Sequence, residues 1–263
     1  MDLELAGKTV IVTGGGSNIG RAICLNFAKE KLNLVIAELD EKQGNKVAAE
    51  AEALGSKVLF VQTDVTNNEQ VESMVQKAND EFGSIDILVN NVGWNIDQMF
   101  MQETREKWEK IININYWGPI NCTRAVLDQM VEQKKGAIVN IGSDAGRMGE
   151  FREVVYAGCK GAVIAFTKAL AREVGKHGLR LNVVCPGLTV PESNDEIGDN
   201  SLWSGEMMNV FTPDAQARAA KAYPLRKLGK ADEVAKAVLF IASPCASHIT
   251  GQTLSVSGGY TMM

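Results

Sequence analysis

Three residues in the segment "GSDAGRMGEFREVVYAGCKGAVIAF" have types and spacing that could move a proton. Ser143 follows a short apolar run, and Tyr156 and Lys160 stand four apart in a helical pattern, so they share a helix face. A tyrosine with an unperturbed pKa of about 10 is a poor base at neutral pH. An ammonium about 4 Å away, at an effective dielectric near 20, is worth up to ~4 kcal/mol, enough to lower that pKa by at most ~3. The positive ring of an oxidised nicotinamide would push the same way. The pair is expected to serve as a general base near neutrality, exchanging a proton with an alcohol or carbonyl oxygen. Taken singly, Tyr156 and Lys160 also fit an ordinary amphipathic pair, and Ser143 a turn or helix cap.

Such chemistry needs a hydride carrier, and "KTVIVTGGGSNIG" offers a place for one. A β-branched run feeds Gly14, Gly15 and Gly16, then Ser17, Asn18, Ile19 and Gly20 open a helical stretch. Glycine lets backbone approach a phosphate, and free N–H groups at a helix start favour the anion. The spacing is not G-x-G-x-x-G, so the turn alone is a weak signal. Glu38 sharpens it, because it ends the second apolar run 18 residues past Gly20. An acid near that offset accepts hydrogen bonds from the adenosine ribose of NAD and repels the extra phosphate of NADP. No arginine lies in "IAELDEKQG", although Lys42 is near and Asp40 is a second acid. NAD is therefore the expected cofactor. Asp64 and Val65 follow the third run, where they could meet adenine, and Asn91, Val92 and Gly93 follow the fourth, where they could support the cofactor.

The glycine turn, "NNVG", Asn115 in "IININYWG", Ser143, "YAGCK" and "CPG" stand in an order and spacing that resemble the short-chain dehydrogenase/reductase family over essentially the whole chain. The resemblance implies a catalytic tetrad. Tyr156 exchanges the proton, Ser143 hydrogen-bonds the reacting oxygen, Lys160 binds the nicotinamide ribose and lowers the tyrosine pKa, and Asn115 holds a water linking Lys160 to solvent. It adds Pro186, Gly187, Leu188 and Thr189 to the cofactor contacts. Departures are Asn18 for a usual glycine, Val92 for a usual alanine, and Pro191 where a threonine commonly meets the carboxamide, a contact left to Thr189 or the Leu188 backbone. A homotetramer is also implied, with residues 104–133, 154–176 and the C-terminal segment at the interfaces.

"NNVGW", "NVVCPG" and "ITGQTLSVSGGYTM" resemble a branch of that family that oxidises alicyclic β-hydroxyacyl-CoA thioesters such as 2-hydroxycyclohexanecarboxyl-CoA in ring degradation. On that reading Trp94, Met148, Trp203, Met207 and Met208 line an apolar pocket, unless they serve packing. Arg147, Arg152, Arg218, Lys221 and Arg226 meet the CoA phosphates, unless they are solvated charges. A 3-oxoacyl reductase, or another alcohol or sugar dehydrogenase, is the alternative in the same class. A non-catalytic subunit that keeps the fold for assembly is the alternative in another.

The elements must carry Ser143 and Glu38 at strand ends and Tyr156 on a helix. Seven β-branched runs, at 9–13, 33–38, 57–62, 85–90, 136–142, 179–184 and 253–258, alternate with helical stretches such as 19–31, 41–54, 67–82, 104–133, 154–176 and 231–242. This pattern predicts a single-domain α/β fold, a Rossmann-like doubly wound parallel seven-stranded sheet with helices on both faces. Residues 188–228 break the rhythm and are expected to form a substrate lid. Asn115, a poor helix former inside a long helical stretch, hints at a local irregularity there.

Composition narrows the setting. The chain has 263 residues, 45% hydrophobic, with net charge -5, which excludes a basic nucleic-acid footprint. No basic-then-apolar leader and no apolar run near 18 residues is visible, so neither secretion nor a membrane span is expected. Five scattered cysteines without a CxxC pair read as reduced thiols in a cytoplasmic protein. Two distant histidines give no support for a metal site.

Overall fold

The inner parallel strands are buried on both sides, which is why their runs are almost wholly apolar. The computed structural model describes residues 2–198, 201, 203–204 and 211–263. In chain order the elements are β1 (Thr9–Thr13), α1 (Asn18–Lys29), β2 (Asn33–Glu38), α2 (Glu41–Ala53), β3 (Lys57–Gln62), α3 (Asn68–Phe82), β4 (Ile87–Asn90) and α4 (Arg105–Ile112). There follow α5 (Gly118–Gln133), β5 (Gly136–Ile141), α6 (Ala145–Met148), α7 (Val154–Val174), β6 (Leu179–Pro186), α8 (Pro213–Ala219), α9 (Ala231–Ala242) and β7 (Thr253–Val256). The sheet order is β3-β2-β1-β4-β5-β6-β7, and all six pairings are parallel. This is the expected single-domain, doubly wound fold. The order reverses between β1 and β4, and the crevice outside their carboxyl ends is where such sheets bind ligands.

Alternation along β1 divides the core. Val10 and Val12 pack with Ile23 and Phe27 of α1 and Val234 and Val238 of α9. Ile11 points the other way, into a cluster with Met74 of α3, Val126 of α5 and Val174 of α7. The two layers clamp the sheet and fix where each strand ends.

The stretch expected to be one helix over 104–133 is two helices joined by a π turn, Asn113–Trp117. Asn115 sits within that turn, and its amide donates back to the Ile111 carbonyl, competing with the regular ladder. Helix α7 and the turn after it, Val154–His177, include an 18-residue window of mean hydropathy 1.4, a length and composition that suit a bilayer. That corrects the expectation that no apolar run approaches such a length. One face of α7, with Lys160, Val163, Thr167 and Ala171, is nonetheless buried in the fold. Residues 188–228 contain no named strand among their described residues. They hold the short α8 and a single bridge from Thr189 to Gly229.

Candidate active site

Strand β5 ends at Ile141, and Gly142 and Ser143 follow at the carboxyl edge of the sheet. The Ser143 hydroxyl accepts a hydrogen bond from the Ala145 N–H at 3.1 Å, which fixes its rotamer at the start of α6. It also faces the Tyr156 phenol on α7 closely enough to oppose the rise in its pKa. The turn-capping reading of Ser143 is thus realised. Lys160 lies one turn further along α7 and is almost fully buried. Its ammonium donates to the Ile141 carbonyl at 2.9 Å and lies 5.5 Å from the centre of the Tyr156 ring. A close backbone contact fixes α7 here, because a Cβ on Gly146 would fall 2.6 Å from the Gly161 nitrogen.

Asn115 closes the group from the opposite side. Its side chain donates to the Trp94 carbonyl at 2.6 Å and accepts from the Trp94 N–H at 3.2 Å. Gly93 is the meeting point. A Cβ there would lie 3.2 Å from Asn115 Oδ1 and 3.4 Å from Lys160 Nζ. The four residues, distant in sequence, thus converge on one pocket.

Their electrostatics depart from the simple tyrosine–lysine picture. Burial pushes the Tyr156 phenol well above its ordinary value, the Glu153 carboxylate adds to the rise, and the Ser143 side chain opposes it. Burial lowers the Lys160 ammonium to about 8. Glu153 is itself pushed up to about 7 by burial and by Glu150, with Asp97 adding to the rise and Asn95 opposing it through a hydrogen bond. The ammonium sits over the ring while burial and a like-charged neighbour favour the neutral phenol.

The dinucleotide crevice is built from the β1–α1 turn. Gly14 has φ +64°, and a Cβ on Gly20 would fall 1.9 Å from the Gly14 carbonyl oxygen, so the turn closes only around glycine. Asn18 has φ +42°, which asparagine tolerates better than other side chains, and its buried Oδ1 has no partner among the described residues. Ser17 precedes α1 in extended backbone without a side-chain cap, and Ile19 lies in the first turn. Glu38 is held tightly. One carboxylate oxygen accepts from Gly16 N–H at 2.9 Å, and the other from Leu39 and Asp40 N–H. Asn91 donates to the Thr13 and Gly14 carbonyls and so ties β4 to the glycine turn, while Val92 packs beside Gly14. Asn90 points into the buried interior, donating to Thr123 and Asn140, and plays a structural part. Asp64 caps its own turn by accepting from Thr66, and Val65 is buried beside Gly118. A glycine cradle, an orphaned amide oxygen and an anchored acid fit a nicotinamide dinucleotide.

At the end of β6, Pro186 pairs with Val256 of β7 and Gly187 lies close against Ser257. The Leu188 N–H donates to the Tyr223 hydroxyl at 3.3 Å, and the Thr189 hydroxyl donates to the Gly187 carbonyl. Sequence reasoning missed Tyr223 and the Tyr260 stacked on it, whose hydroxyl donates to Glu150. No local motif marks them, because one lies inside the irregular segment and the other beyond β7, and only the fold stacks them.

The residues assigned to substrate divide. Arg147 pairs with buried Asp144 at 3.7 Å, and Arg152, at φ +67°, pairs with Asp97 at 2.8 Å. Two of the five expected phosphate ligands are thus engaged by carboxylates. Trp94 lies under the Lys110 ammonium, 4.0 Å from its ring centre. Met148 is exposed, and Trp203 packs edge-on against Phe211. Met207 and Met208 lie outside the described residues. An apolar lip of Met99, Phe100, Met101, Phe151 and Val154, interrupted by Glu150, was not foreseen.

A profile of the short chain dehydrogenase family matches residues 8–201. The chain is 37% identical over 260 residues to a 3-oxoacyl-[acyl-carrier-protein] reductase of Chlamydia muridarum, covering 98% of this chain and 99% of that one. It is 37% identical over 261 residues to the reductase of the same name from Vibrio harveyi, covering 99% and 100%. A Staphylococcus epidermidis reductase of that name is 34% identical over 256 residues, covering 97% and 99%. With these matches running along the glycine turn, the anchored acid and the Ser-Tyr-Lys pocket, the chain belongs to the short-chain dehydrogenase/reductase family of oxidoreductases.

Proposed function

We propose that the protein is an NAD(H)-dependent oxidoreductase that interconverts the β-ketone and the secondary β-alcohol of an acyl thioester, with reduction as the favoured direction. The observation that carries this reading is the convergence of Ser143, Tyr156, Lys160 and Asn115 around a phenol held in its neutral form by burial and Glu153. A neutral phenol is a proton donor, and a carbonyl being reduced needs one. Ser143 hydrogen-bonds the substrate oxygen and orients it towards Tyr156, which gives up the proton. Lys160, positioned by the Ile141 carbonyl, offers its other N–H donors to the nicotinamide ribose. Asn115 fixes the Trp94 backbone and, across Gly93, the approach to Lys160. When bound, the nicotinamide supplies or accepts the hydride.

The full-length likeness to 3-oxoacyl reductases supports the 3-oxoacyl class over the alicyclic hydroxyacyl-CoA expectation. Glu38, anchored beside the glycine turn, supports a preference for NADH, since a carboxylate near the adenosine ribose would repel a 2′-phosphate. The engaged Arg147 and Arg152 support a carrier whose phosphates lie away from the reacting carbon. Residues 188–228 act as the lid, and α7, apolar yet largely unburied, is covered by another copy in a cytoplasmic homotetramer.

The test is a panel assay with NADH and NADPH across acetoacetyl-CoA, 3-oxoacyl thioesters of acyl carrier protein, 2-oxocyclohexanecarboxyl-CoA and the matching free ketones. Thioester turnover with NADH at least about tenfold above NADPH is expected. Turnover of free ketones alone, or a preference for NADPH, would overturn the substrate or the cofactor assignment respectively.

A further inference from the structure

The irregular segment leaves the nicotinamide end of the crevice at Thr189 and, a few residues later, reaches the opposite end. Asp195 is six residues beyond Thr189, a reach of at most about 22 Å. There the chain is fastened to α1 and α2, the two helices whose first turns border the glycine turn and Glu38. Lys46 of α2 donates to the Asp195 carbonyl, and Gln43 donates to the Ile197 carbonyl at 3.3 Å. Arg21 of α1 bridges Glu50 of α2 at 2.8 Å and Glu196 at 3.6 Å. Gly198 is buried flat against α2. A Cβ there would lie 2.5 Å from Gln43 Cγ and 3.2 Å from Asp40 Oδ2. Asp40 caps α2 two residues after Glu38, so this contact adjoins the acid expected to hold the adenosine ribose.

We propose that residues 195–198 are a latch on the adenosine side of the crevice, and that the cofactor enters and leaves only when this segment lets go of Arg21, Gln43 and Lys46. A strap fixed only over the nicotinamide would gate substrate. One that also grips α1 and α2 ties its opening to the far half of the dinucleotide. The contacts suit a reversible fastening. Two accept through backbone carbonyls and one is a part-exposed ion pair, each of modest strength. Gln43 also keeps a buried Oε1 with no partner among the described residues, an acceptor that a donor on a bound ligand, such as a ribose hydroxyl, would satisfy.

The inference rests on the dinucleotide reading, and the experiment separates the two. NADH binding and dissociation are followed by fluorescence in stopped flow, with excess NAD⁺ as the chase. The double variant Arg21→Ala/Lys46→Ala is expected to release NADH about threefold to tenfold faster, with the substrate KM unchanged. In Gln43→Cys/Gly198→Cys, a disulfide formed after NADH has bound is expected to retain it through desalting. The same disulfide formed beforehand is expected to exclude NADH, and thiol reduction should restore exchange. Dissociation at the wild-type rate in the double variant, or free exchange in the cross-linked protein, would overturn the latch while leaving the cofactor site intact. A wild-type protein that binds no NADH would overturn the dinucleotide reading and the latch together.

Discussion

Glu153 stands one helical turn before Tyr156, and its carboxylate, hydrogen-bonded by Asn95 and crowded by Glu150 and Asp97, raises the proton affinity of the phenol. Replacing it with glutamine removes a negative charge and keeps the shape. The acidic limb of kcat/KM for alcohol oxidation, which needs the phenolate, is then expected to move to lower pH. An unmoved limb in a pH profile would show that Glu153 does not reach the proton. Stability follows by linkage. The Glu153 pKa is raised in the folded chain to about 7 from its ordinary value of 4.5, so the folded state binds more protons between those values. Wild-type stability is therefore fuller below pH 4.5 and is lost as pH rises through 7, as far as this group contributes. Thermal unfolding at pH 5 and pH 8 should show a smaller loss in Glu153→Gln. Glu38 yields a second prediction. Glu38→Ala should raise the kcat/KM for NADPH relative to NADH, and an unchanged ratio would count against ribose recognition there. The acid was legible in the sequence because its place, at a strand end after a glycine turn, is set by local geometry. The neutral state of Tyr156 was not, because it depends on burial and on Glu150 and Asp97, which only the fold gathers.

The glycine turn and the π turn are the two elements on which the pocket depends most. Gly20→Ala would drive a methyl to within 1.9 Å of the Gly14 carbonyl, and the turn would have to open. NADH affinity measured by fluorescence titration should fall at least about tenfold, while retained affinity would mean that the turn does not hold the cofactor. Asn18→Gly probes the same element more gently. Unchanged NADH affinity there would leave the Asn18 amide with no phosphate role. The alternation of strands and helices could be read from the sequence, since buried parallel strands are continuously apolar. The break at Asn113–Trp117 was only hinted at by Asn115, because a π turn depends on where the side chain finds its partners, Ile111 and Trp94. Tyr223, Tyr260 and the fastening of 195–198 to α2 were invisible for a related reason. They are tertiary contacts between residues far apart in sequence, which no local pattern records.

For the whole molecule, the glycine turn, Glu38 and Ser143 lie along one carboxyl edge of the sheet, and α7 presents further apolar surface. Mass by light scattering is expected to be four times that of the chain, and a monomer at micromolar concentration would leave α7 without its proposed cover. The central claim is that this pocket moves a proton and a hydride between NADH and a β-ketone. It is tested most directly by NADH absorbance with a 3-oxoacyl thioester, in the wild type and in Tyr156→Phe, with NADH affinity measured alongside. The wild type is expected to consume NADH, and the variant to lose turnover by at least about 100-fold while binding NADH as before. Turnover surviving in Tyr156→Phe, or no NADH consumption by the wild type with any 3-oxoacyl thioester, would contradict it.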